Sequence, residues 1–144
     1  MATSAPMLLE ATPVEALKSV LKGGFDGFMN FLQEPAQPMP DLSPQRFAEV
    51  LQIDAQTLAV AARVHRNTLR QSPHSAAIQN YLRQSVRVIR AGADISGDVG
   101  RAVAWYRNEP LPPFAYKTAE TLVGEGRADD VIRYITSLEA GAAG

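Results

Sequence analysis

The chain has 144 residues, enough for one domain or two small ones sharing a core, and 46% of them are hydrophobic, which excludes wholesale disorder. It has no cysteine, so a disulfide scaffold, a thiolate zinc site and a cysteine nucleophile are excluded. The net charge of -1 hides an asymmetry: residues 55–93 carry Arg63, Arg66, Arg70, Arg83, Arg87, Arg90, two histidines and no acid, whereas residues 94–144 are mildly acidic.

Residues 1–11 lack periodicity and predict a loose tail. Met7-Leu8-Leu9 is too short for a signal peptide, and no stretch approaches the ~20 apolar residues of a membrane span, so a soluble, untargeted, cytoplasmic protein is expected. Thr12-Pro13-Val14-Glu15 predicts a helix start, with the threonine as cap and proline in the first turn. Val14, Leu17, Val20 and Leu21 then recur at helical spacing. Gly23-Gly24 weakens or bends this helix. Phe25, Phe28, Met29 and Leu32 continue an apolar face, suited either to covering the core or to pairing two chains. The proline-rich residues 34–40 predict a stiff linker.

Ser43-Pro44 opens the next helix, with Phe47, Val50 and Leu51 inward, and Asp54 caps another that carries Leu58, Ala59 and Ala62. A short helix after Val64 holds Leu69, and Ser72-Pro73 stops it. Residues 75–91 form the clearest amphipathic helix, with Ile78, Tyr81, Leu82, Val86 and Ile89 as its stripe and Gly92 suited to its C′ position. Residues 99–106 predict a helix ending before Pro110, and Leu111-Pro112-Pro113-Phe114 a turn. Residues 118–123 and 128–138 predict two more helices, joined by Gly124-Glu125-Gly126. Strand signals are negligible. The expected fold class is all-α: a tail, helix and linker over 1–42, a helix-turn-helix-like core over 43–93 and a C-terminal helical domain over 94–144, with the helix 75–91 packed on both parts.

Leu58, Ala59, Ala62, Val64 and Leu69 fall at the spacing of a helix-turn-helix. On that register the second helix exposes His65, Arg66, Asn67, Arg70 and Gln71, residue types that read base edges. Arg83, Arg87 and Arg90 recur along one face of the next helix and suit phosphates. The DNA-contact candidates are Arg66, Asn67, Arg70, Gln71, Arg83 and Arg87. Against this, Arg63 stands where such a turn has glycine, Ser72-Pro73 falls early, and a plain bundle of three short helices explains the same apolar positions.

Catalytic arrangements are absent from the pattern. His65 and His74, the only histidines, sit in the basic segment without acids nearby in sequence, which is poor for a metal site or a serine triad. Gly92, Gly97 and Gly100 lack the strand and spacing of a phosphate loop, and Asp129-Asp130 are adjacent on a helix and point to different sides. No enzyme, cofactor or metal is expected.

The C-terminal third carries the most specific pattern. A helix holds Ala104-Trp105-Tyr106, then come Asn108-Glu109-Pro110-Leu111, Lys117-Thr118, the Gly126-Arg127-Ala128 turn and a last helix with Leu138-Glu139-Ala140-Gly141. This resembles the toxin-binding domain of the Xre/MbcA/ParS antitoxins, encoded beside RES-domain toxins. With the helix-turn-helix-like segment, the resemblance covers about residues 43–144. Where that family has two glycines before Lys-Thr and a proline after it, this chain has Ala115-Tyr116 and Ala119.

The resemblance implies an antitoxin that blocks the active site of a RES-domain toxin and represses its own operon through operator DNA. A homodimer within a larger toxin–antitoxin complex is expected, because helix-turn-helix repressors read paired half-sites. Toxins of that kind consume NAD or transfer ADP-ribose from it, so the cofactor belongs to the partner. The toxin-contact candidates are Arg127 and Arg133, with Glu139, Ala140, Gly141, Ala142, Ala143 and Gly144 as a small-residue tail that enters the cleft. The helix is expected to end near Leu138-Glu139, and the tail reads equally as a frayed terminus. Two alternatives stay open: a stand-alone DNA-binding regulator, and an antitoxin that has lost DNA binding.

Overall fold

The computed structural model describes residues 13–33 and 41–143. The tail over 1–11, the Thr12 cap, the linker over 34–40 and Gly144 lie outside the described residues. The helices are α1 (Pro13–Lys22), α2 (Gly24–Leu32), α3 (Pro44–Leu51), α4 (Ala55–Ala62), α5 (Arg66–Gln71), α6 (Ala76–Ser96), α7 (Val99–Asn108), α8 (Ala119–Gly124) and α9 (Ala128–Ala143), with a 3₁₀ turn at Pro112–Phe114. Among the described residues there is no strand; the single antiparallel bridges Gln33–Leu42 and Leu111–Lys117 close two loops. No described helix is long and apolar enough to cross a membrane.

The helix starts are made by short polar side chains. Ser43, Asp54, Ser75, Asp98 and Thr118 accept hydrogen bonds from the backbone N–H groups of Arg46, Thr57, Ile78, Arg101 and Thr121. Each cap satisfies an N–H that has no partner inside its helix, a contribution of about 1 kcal/mol.

Helix α6 has 21 residues and is the spine of the molecule. At ~1.5 Å per residue it spans about 30 Å. α7 and α9 lie along it, α3 and α8 also pack on it, and α8 touches α4 as well. Ile78, Leu82, Val88 and Ile89 of α6 are fully enclosed, together with Phe28, Leu32, Phe47 and Tyr106 from its neighbours. The core is continuous from Phe28 to Ile135, so it crosses the expected boundary at 93/94 without a break.

Two expectations are corrected. Gly92 does not terminate α6; the helix continues to Ser96, and Gly97 in the left-handed region (φ +74°) ends it. Gly92 instead lies inside α6 facing α7; a Cβ there would meet the Ala102 Cβ at 3.4 Å and the Trp105 ring at 3.8 Å, ordinary contact distances. The last helix does not stop at Leu138-Glu139 but runs to Ala143. Alanine is the best helix former, and Ala140, Ala142 and Ala143 offset the cost of about 1 kcal/mol for Gly141.

Of the two roles expected for the apolar face of α2, the structure shows the covering of the core. Phe28 and Leu32 are fully buried in the chain's own core, and Phe25 is half-buried with the Arg90 guanidinium 5.4 Å from its ring centre. This face covers the core and is not free to pair two chains.

A buried polar cluster joins α6 to α7. The Tyr106 hydroxyl donates to Ser85 Oγ at 2.8 Å, and Ser85 Oγ donates to the Tyr81 carbonyl at 2.9 Å. The Tyr81 hydroxyl is enclosed without a hydrogen-bond partner among the described residues. Burial raises the pKa of the Tyr81 phenol, and raises that of Tyr106 well above its ordinary value.

Candidate functional site

Two regions of the surface carry the sequence-predicted residues. The first is α5. Residues 63–65 join α4 to α5, and Arg63 takes φ +60°, the left-handed conformation that glycine adopts most readily. Leu69 is buried and anchors α5 through its inner side, while Arg66, Asn67, Arg70 and Gln71 are exposed. Arg70 Nη2 donates to Asn67 Oδ1 at 3.1 Å, and neither Arg66 nor Arg70 forms an ion pair among the described residues.

The other two DNA candidates are engaged within the chain. Arg83 lies 3.4 Å from Asp41, and Arg87 lies 3.1 Å from Asp129 in the first turn of α9. The segment that is free of acids in sequence therefore meets acids in space. His74 is corrected on the same ground: its Nδ1 is 2.9 Å from Asp41 Oδ2. These partners lie 33 to 42 residues away along the chain, beyond the reach of a local charge count. Among the described residues no group of three or more His, Asp or Glu is placed to hold a metal ion.

A third acid binds the α4–α5 turn to the C-terminal helices. Glu125, just after α8, accepts from Lys117 Nζ at 2.7 Å and lies 3.8 Å from Arg63. The Lys117 hydrogen bond is the main reason its carboxyl is held below the usual range. Asp54 is lowered mainly by its bond from Thr57. Residues 124 and 61 meet beside Glu125: a Cβ on Gly124 would lie 2.3 Å from the Ala61 carbonyl oxygen. The sequence marks Gly124 only as a loop glycine.

The second region is α9 and the loop before α8. Leu111–Lys117 is a closed loop in which Ala115 takes φ +57° and Tyr116 φ +65°. Phe114 packs edge-on against Tyr134 and lies under the Arg127 guanidinium. Arg127 and Arg133 both reach Asp130, whose carboxyl is lowered chiefly by the Arg127 bond. The two arginines are thus tied to α9 itself.

Ile135 is the last buried residue of α9 among those described, and residues 136–141 are all exposed. At its root is an apolar groove of about 230 Å³ lined by Gly92, Ile95, Ala102, Trp105, Ile135 and Leu138. Ile95 is 45% exposed and Leu138 47%. The sequence reading missed this groove, because Ile95 falls on the last turn of α6, beyond the expected end at Gly92.

A left-handed tyrosine is strained by roughly 1–2 kcal/mol, and Tyr116 is 68% exposed, with little packing to lose. Tyr116→Gly is expected to raise stability by about 0.5–1 kcal/mol, because glycine's larger unfolded-state entropy takes back part of the relief. A lower denaturation midpoint in urea would contradict this.

No family model, no curated protein and no solved structure matches this chain.

Proposed function

We propose that the chain is the antitoxin of a toxin–antitoxin pair and inhibits a RES-domain toxin with α9. The observation that carries this reading is the end of α9, where residues 136–141 are all exposed and an apolar groove lies beside Ile135 and Leu138. A helix end that is solvent-exposed is free to enter a cleft, and its small residues leave room for close approach. The resemblance gains support from the backbone. Ala115 and Tyr116 stand where the antitoxin family has two glycines, and both take positive φ. The conformation for which glycine is suited is present without the glycine.

The test is co-expression with the product of the adjacent gene, which this reading expects to be a RES-domain toxin. The full chain should co-purify with the toxin and protect cells. A chain lacking residues 140–144 loses only the last turn of α9 and should keep its thermal midpoint, since Ala140 and Gly141 are exposed, yet lose protection. Full protection by that truncated chain would end the proposal.

A second reading, a DNA-binding regulator alone or in addition, is favoured by α5. It presents Arg66, Asn67, Arg70 and Gln71 to solvent, with neither arginine held by an acid among the described residues. Arg63 supports it too, taking the left-handed turn where helix-turn-helix proteins have glycine. Arg66→Ala with Arg70→Ala should weaken binding to the upstream operator fragment by about 1–3 kcal/mol per base-reading arginine and leave toxin protection unchanged. Unchanged operator affinity would remove α5 from the interface. No operator binding by the unaltered chain would leave an antitoxin without DNA binding.

A further inference from the structure

We propose that the groove between α3 and α5 binds a small amphipathic anion, a molecule with an apolar body and one acidic head held by Arg66 and Arg70. The groove has a volume of about 570 Å³. That lies within the range of roughly 300–1,000 Å³ common for small-molecule sites. Its floor is apolar, formed by Ala48, Ile53, Leu58 and Leu69. Arg66 and Arg70 line the same groove.

The charges select the ligand. Arg66 makes no side-chain hydrogen bond or ion pair among the described residues, and Arg70 is steadied by Asn67 while its other N–H groups stay open. Two acids lie nearby. Glu49 lines the groove without pairing with either arginine, and Asp54 is within Coulombic reach of Arg66 but is occupied in capping α4. Two guanidiniums beside an apolar floor fit a carboxylate, sulfonate or phosphate head joined to a hydrocarbon or aromatic body.

Size excludes a docking helix. α5 has six residues, and at ~1.5 Å each it offers only about 9 Å of wall. A phosphate backbone alone would leave the apolar floor unused. On the DNA reading given above, the ligand and a nucleic acid would compete for the same two guanidiniums.

The test uses the full chain and anilinonaphthalenesulfonate, with its uncharged relative phenylnaphthylamine as the control. The sulfonate should bind saturably and shift backbone amide resonances in α3, α4 and α5. Arg66→Gln with Arg70→Gln should weaken the sulfonate about tenfold and leave phenylnaphthylamine unchanged. Both side chains are exposed, and an unchanged thermal midpoint would verify that the variant folds. The proposal is overturned by absence of saturable binding, by equal sulfonate affinity in the variant, or by shifts confined to the Trp105 groove. Sulfonate binding by a chain with no DNA affinity supports the groove and removes only the competition.

Discussion

Gly124→Ala is expected to lower the thermal midpoint by roughly 8 °C, about 2 kcal/mol for a chain of this size. The new Cβ would lie 2.3 Å from the Ala61 carbonyl oxygen. Both partners are backbone, at the end of α8 and within α4, so no side-chain rotation relieves the clash and the helices must separate. That separation also pulls Glu125 away from Arg63. Gly126→Ala is the control: φ there is +82° and nothing lies within 4 Å of the added carbon, so only the conformational cost of roughly 1 kcal/mol applies. Calorimetry of the two variants decides the matter. A Gly124→Ala midpoint at or above that of Gly126→Ala would show that α4 and α8 do not meet as described.

Gln79→Leu is expected to cost about 2–4 kcal/mol, although it places a hydrophobic residue in a buried site. The Gln79 amide closes three hydrogen bonds. Its Oε1 accepts from the Leu42 N–H at 2.9 Å, and its Nε2 donates to the Leu42 carbonyl at 2.8 Å and the Pro73 carbonyl at 2.9 Å. Leucine has similar volume but leaves three backbone groups without these partners. The cost is therefore in desolvated polar groups, not in a cavity. Urea denaturation gives the magnitude, and hydrogen exchange at the Leu42 amide gives the place. That amide should exchange faster, and an unchanged rate would mean another group satisfies it.

These two residues mark where the sequence stops being informative. The helix starts at Ser43 and Asp54 were legible, because a cap is a local bond over three residues. So was the buried stripe of α6, which repeats at the period of the helix. Gln79 reads as an ordinary polar position, since its partners lie 37 and 6 residues away. Gly92 misled because a glycine that ends a helix and a glycine within one look alike in one sequence; the left-handed conformation that ends α6 falls at Gly97 instead.

The candidate surfaces divide in the same way. The exposure of Arg66, Asn67, Arg70 and Gln71 follows from the position of Leu69, the buried residue of α5. The capture of Arg83 by Asp41 and of Arg87 by Asp129 depends on how distant segments pack, and no local charge count contains it.

Trp105 is the chain's single tryptophan, and it sits half-buried in the groove at the root of α9. The protein therefore carries its own optical reporter at the proposed contact. An occupant that displaces water from the indole would shift its emission to shorter wavelength, with no label attached and no second tryptophan in this chain to dilute the signal. The α3–α5 groove shares no lining residue with the groove that holds Trp105. One emission spectrum thus distinguishes an occupant of the groove at the root of α9 from a small ligand held in the other.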